Sequence, residues 1–121
     1  MKSNKRILST GTLKNNPVKN AKGEDLGKIE EIMLDTESGE VRYAVLSFGG
    51  FLGMGDKYFA VPWKALSIDR ENHQCRLDVD KETLENAPGF QKDNWPSFSD
   101  PTFTTPVQKH YHGVGSYRYA A

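Results

Sequence analysis

Residues 47–66 read SFGGFLGMGDKYFAVPWKAL, and the fold turns on how their glycines are understood. Gly49, Gly50, Gly53 and Gly55 lie between two apolar runs. A dinucleotide-binding loop follows a strand and opens a helix whose N-terminus holds the pyrophosphate. Here the glycines lead into KYFAVPW (57–63), which carries Pro62 near its end and cannot continue as a helix. The order Gly50-x-x-Gly53-x-Gly55 is not the dinucleotide fingerprint, and Gly55-Asp56-Lys57 is not the Gly-Lys-Ser/Thr of a phosphate-binding loop. The stretch therefore reads as a long hairpin loop whose glycines supply positive φ. Its tip, Phe51, Leu52 and Met54, is apolar, which makes it a candidate contact site for protein.

The flanking segments read as strands. EVRYAVLSF (40–48) puts Val41, Tyr43 and Val45 on one face and Ala44, Leu46 and Phe48 on the other, the pattern of a central strand covered on both sides. In GKIEEIMLD (27–35) the apolar spacing slips between Ile29 and Ile32, as a bulge would make it. TESG (36–39) is a turn by composition. Pro62 offers no ladder N–H and should end its strand or lie on an edge. ALSID (65–69) and QCRLDVD (74–80) form a hairpin around RENH (70–73), with Cys75, Leu77 and Val79 on one face. Residues 7–80 are thus expected to be all-β. KETLENA (81–87) is the first helix signal, capped by Asp80 and stopped by Pro88-Gly89. From Phe90 the chain holds three prolines and seven aromatics and no regular period. It is expected to run extended, pinned by its aromatics to its own barrel or to a partner.

A chain of 121 residues suits one domain with one modest core. Sixteen basic and sixteen acidic residues cancel, so no global field draws it to nucleic acid or an anionic membrane. The charge is uneven, however. Lys2, Lys5, Arg6, Lys14, Lys19 and Lys22 all precede the first acid, Glu24. A single cysteine fits a reducing compartment. The N-terminus lacks the apolar core of a signal peptide, and no apolar run approaches the roughly 20 residues of a membrane helix. A cytoplasmic protein without nucleic-acid binding or membrane insertion is expected.

No catalytic constellation emerges. Glu30 and Glu31 are strand neighbours and point to opposite faces. A calcium loop beginning at Asp78 fails, with Thr83 at its sixth position and Gly89 at its twelfth. His110-x-His112 and His73-x-Cys75 could each offer two metal ligands, but nothing in the sequence joins the pairs. Cys75 lies on an apolar strand face and reads as core filler. Ser47 and Ser67 have no nucleophile signature. No enzyme, cofactor or metal is expected.

The runs GEDLGKIEEIMLD (23–35), SGEVRYAVLSFGGFLGMGDKYFAVPWKAL (38–66), LDVDKETLENAPGF (77–90) and DNWP (93–96) resemble the PRC-barrel family. That fold occurs in the cytoplasmic domain of the photosynthetic reaction centre H subunit and in a ribosome maturation factor. The tail resembles a bacterial subgroup of single-domain proteins, some labelled stress-related, whose biochemical role is not established. The resemblance implies a mainly β protein: a small six-stranded antiparallel PRC-type barrel with one short helix and an extended C-terminal tail. Residues 1–89 would be the barrel with a short N-terminal arm, and 90–121 the tail. It also implies a protein-interaction or adaptor module, a homodimer or the partner of an unidentified protein. The expected contact residues are Phe51, Leu52, Met54, Trp63, Phe90, Trp95, Tyr111 and Tyr117. Two alternatives stand beside this: an accessory protein of photosynthetic or electron-transport complexes, and a small-ligand or metal-binding protein using His110 and His112.

Overall fold

The computed structural model describes residues 7–49 and 57–115. Its elements run α1 (Thr10–Leu13), β1 (Pro17–Lys19), β2 (Asp25–Leu34), β3 (Val41–Phe48), β4 (Lys57–Pro62), a 3-10 turn (Trp63–Ala65), β5 (Leu66–Asp69), β6 (Gln74–Leu77), α2 (Lys81–Glu85), β7 (Gly89–Gln91) and α3 (Pro101–His110). The seven strands among the described residues join one sheet in the order β5-β6-β1-β2-β3-β4-β7. The protein is mainly β.

The glycine-rich stretch connects antiparallel neighbours. β3 and β4 pair from Phe48↔Lys57 to Tyr43↔Pro62, so the loop closes a hairpin and opens no helix. Of its glycines only Gly49 falls in the described residues; Phe51, Leu52 and Met54 lie outside them. β3 is buried from Tyr43 to Phe48, as its two apolar faces require. Pro62 ends β4, where its missing N–H costs no ladder bond. The pairing of β2 with β3 shifts register between Ile29 and Glu31, at the slip visible in the sequence.

Gly27 makes the close approach of β2 to β3 possible. Its φ is +101°, and a Cβ there would stand 2.3 Å from the Ser47 carbonyl oxygen. Asp25 steadies the kink by accepting a hydrogen bond from the Gly27 N–H at 3.0 Å. The core then forms between the faces of the curled sheet and α2 and α3. Val18, Leu26, Ile29, Val45, Leu46, Phe59, Val61, Leu77, Leu84, Val107 and Tyr111 are all fully enclosed in it.

Several details differ from the sequence expectation. Among the described residues there are seven strands, not six; β1 and β7 are three residues each and too short to show an alternation in the sequence. They exist through their partners: β1 bridges β2 and β6, and β7 borders β4. The β1–β6 pair is parallel in an otherwise antiparallel sheet. The sheet ends at β5 and β7 and is not closed into a hydrogen-bonded ring. α1 interrupts the expected all-β run, started by Ser9, whose hydroxyl accepts from the Thr12 N–H at 3.1 Å.

The tail is not wholly extended. Asp100 caps α3 by accepting from the Thr102 N–H, and Pro101 occupies the first turn, where no N–H is needed. Prolines therefore start this helix as well as interrupt it; only Pro106 lies inside, and one main-chain bond is lost there.

Candidate interaction surface

Phe90, Trp95, Phe98, Phe103 and Tyr111 fold back on the sheet. Phe90 pairs opposite Tyr58 and is buried. Its ring centroid lies 5.9 Å from Tyr58, 5.1 Å from Trp95, 6.1 Å from Phe98 and 6.0 Å from Phe103. Phe98 meets Tyr43 edge-on at 5.5 Å. Trp95 closes the cluster from outside, its indole N–H donating to the Lys92 carbonyl at 2.7 Å. Further along, Gln108 donates to the Tyr43 hydroxyl at 3.0 Å, and Val107 and Tyr111 enter the core. Of the expected contact residues, Phe90 and Tyr111 are thus enclosed by the chain itself. Trp63 and Trp95 keep accessible surface, and Tyr117 lies outside the described residues.

Tyr111 carries a specific cost. Its hydroxyl is the only buried side-chain polar atom without a hydrogen-bond partner among the described residues, and burial pushes its phenol upward from the ordinary value. A buried hydroxyl that gains no protein partner opposes folding. Tyr111→Phe is expected to hold or raise stability by about 1 kcal/mol in urea denaturation, whereas Tyr111→Ala should cost about 3–5 kcal/mol. A loss for the phenylalanine variant comparable to that of alanine would show that the oxygen has a partner.

The accessible apolar surface concentrates around Trp63. A groove of about 470 Å³ is lined by Ile32 of β2, Val41 of β3, Trp63 in the 3-10 turn, Ile68 of β5, Arg70 beyond it, and Ile7, Leu8, Thr10 and Leu13 of the N-terminal segment. Towards β3 it shares Val41 and Trp63 with a small depression that also holds Glu40, Arg42, Lys64 and Gln108. That depression shares Arg42, Tyr43 and Gln108 with a wider groove of about 620 Å³, reaching Leu34, Asp35, Glu37 and Phe98. At the opposite end a fourth hollow continues the line to Asp69 and His73. The large exposed hydrophobics among the described residues are Ile7 at 94%, Leu34 at 51% and Trp95 at 38%. Ile7 and Leu34 both lie on this strip, at opposite ends.

Only Trp63 of the strip stands among the residues the sequence singles out. A signal for the rest exists in Ile32-Met33-Leu34. Three consecutive apolar residues of a strand cannot all face one side, so the run must leave apolar surface outside the core. Ile7, Val41 and Ile68 carry no such signal, because four separate segments meet only in the folded chain.

The polar groups are occupied with structure. Asp35 accepts from the Glu37 N–H at 2.8 Å and the Ser38 N–H at 3.3 Å, and these bonds, with Arg42 beside it, hold its carboxyl below the ordinary value. Arg42 is shared between Asp35 and Glu40. Burial pushes the Cys75 thiol up to about 11, so it is a neutral core side chain at physiological pH, not a thiolate nucleophile. His110 contacts the Thr83 carbonyl at 3.2 Å, and no three His, Cys, Asp or Glu side chains converge as metal ligands among the described residues. Among those residues no helix is long and apolar enough to cross a membrane.

Comparison with known proteins adds the following. The family model for the PRC-barrel domain matches residues 8–84. No curated protein matches. Among solved structures, one match is a protein described as a 16S ribosomal RNA processing protein, RimM, from Pseudomonas aeruginosa. It is 17% identical, with a TM-score of 0.42 over 66% of this chain. The match spans 49% of that protein, so this chain corresponds to about half of its length.

Proposed function

The chain belongs to the PRC-barrel family, and from that premise we propose that it is a non-enzymatic protein-contact module whose docking surface is the groove around Trp63. The observation that carries this is the gathering of Ile7, Ile32, Leu34, Val41, Trp63 and Ile68 into one accessible strip. Exposed apolar strips of this kind mark sites of association. In this reading the barrel of residues 1–89 presents most of the groove, and the segment from residue 90 completes its β3 end through Phe98, Thr104 and Gln108. Trp95 and the hairpin tip Phe51, Leu52 and Met54 are secondary contacts. The partner is a protein in the cytoplasm, either a second copy in a homodimer or a different chain that the module recruits.

Immobilised full-length protein and its Leu34→Asp and Trp63→Asp variants would be exposed to lysate of the native host. Leu34 is half exposed, so its variant should fold normally even if the Trp63 variant is weakened. The wild type is expected to retain a defined set of proteins that both variants lose. Identical retention by all three would contradict the assignment of this face.

A further inference from the structure

We propose that β5 is a docking edge: an extended segment of a partner protein pairs with its open side, seats apolar side chains in the Trp63 groove and sets acidic residues against Lys64 and Arg70. The inference rests on the contact reading above and names the form and chemistry of the partner. β5 ends the sheet and pairs with β6 alone. Apart from that pairing, Ser67, Ile68 and Asp69 make no main-chain hydrogen bond among the described residues. An end strand keeps a row of N–H and C=O groups on its open side, the template on which another chain adds a strand. The groove of about 470 Å³ follows the same strand. Trp63 stands before β5, Ile68 within it and Arg70 just after it, and all three line the groove. Open main-chain groups and an apolar wall are thus offered side by side.

The charges say what the segment carries. Among the described residues, Arg70 is the only charged one that lines this groove. Lys64 lines the hollow that shares Trp63 with it. Both are exposed, and neither side chain has an ion-pair or hydrogen-bond partner among the described residues. The acids in the two hollows that share Trp63 or Arg70 with the groove are engaged: Glu40 by Arg42 at 3.3 Å, and Asp69 by Asn72 at 2.8 Å. One free cation therefore flanks each end of β5. The strand has four residues, so an added strand of about five spans it, and acids just beyond both ends face Lys64 and Arg70. Between them, alternate side chains fall on one side, so apolar residues at every second position meet Trp63 and Ile68. A helix in the groove would leave the β5 main chain unpaired, which favours the strand.

The test begins with a random-peptide display library selected on immobilised full-length protein. The expected binders alternate apolar and polar residues and carry Asp or Glu on both flanks. A synthetic copy of the strongest binder is then measured in two ways. In amide hydrogen exchange followed by NMR, those amides of Ser67, Ile68 and Asp69 that are not bonded to β6 should exchange about tenfold more slowly, or slower still, when the peptide is bound. In titration, the double variant Lys64→Glu/Arg70→Glu should bind it about tenfold more weakly or worse. Replacing the flanking acids of the peptide by lysine should restore binding to that variant, which a misfolded protein could not do. An empty selection, binders with apolar residues at helical spacing, unchanged exchange in β5, or unchanged affinity for the charge-reversed variant would each overturn the proposal. So would protection of the β5 amides at high protein concentration without peptide, which would give the edge to a second copy. If the peptide tests fail while the lysate contrast of Leu34→Asp and Trp63→Asp holds, edge pairing fails and the contact reading stands. If that contrast is also absent, both fail.

Discussion

Gly27→Ala is expected to remove about 3 kcal/mol or more of folding stability, enough to unfold a large fraction of a marginally stable domain. Two independent costs add. The backbone sits at φ +101°, a region that side-chain-bearing residues occupy only under strain. A methyl group there would also meet the Ser47 carbonyl oxygen at 2.3 Å and its carbon at 3.1 Å, both main-chain atoms of the neighbouring strand that cannot swing aside. Relief would require β2 to separate from β3, beginning at the Lys28↔Ser47 contact. Gly39→Ala isolates the first cost. Gly39 has φ +76°, but nothing lies within 4 Å of its Cβ position, so a loss of only about 1–2 kcal/mol is expected. Urea denaturation of both variants measures the difference. Equal losses at the two sites would show that β2 accommodates the methyl group.

Phe90→Ala is expected to cost about 3–5 kcal/mol. The ring is buried and touches Tyr58, Trp95, Phe98 and Phe103, each at an edge-on or tilted angle that favours aromatic contact. Its loss opens a cavity beneath Trp95 and loosens the segment leading to α3. Trp95→Ala removes a partly exposed ring from the same cluster and should cost clearly less. The order matters to the functional account. A large stability loss at Phe90 with unchanged binding per folded molecule assigns it to the core. Lost binding with unchanged stability would assign it to an interface.

What could be read from the chain depended on how local its causes are. The β3–β4 hairpin is legible because two-sided burial is written into Val41 to Phe48 and because Pro62 must end its strand. The β2 bulge is legible from the slipped spacing after Ile29. β1 and β7 are not, since three residues carry no period and pairing alone defines them. α3 was obscured by its prolines, although Asp100-Pro101 is a regular way to begin a helix. Phe90 and Tyr111 show the ambiguity of an aromatic tail. Its composition announces burial but not whether the chain or another molecule provides it. The strip around Trp63 is the least legible feature. Its residues come from the N-terminal segment, β2, β3 and the 3-10 turn with β5, and they become neighbours only when the sheet curls.

The most direct test of the contact surface is a photo-crosslinking phenylalanine derivative placed at position 63, with position 92 as an exposed control, in cells of the native host. After irradiation, the account predicts a discrete protein adduct from position 63, to a second copy or to another chain, and none from position 92. No adduct at position 63, or the same diffuse adducts at both positions, would contradict it.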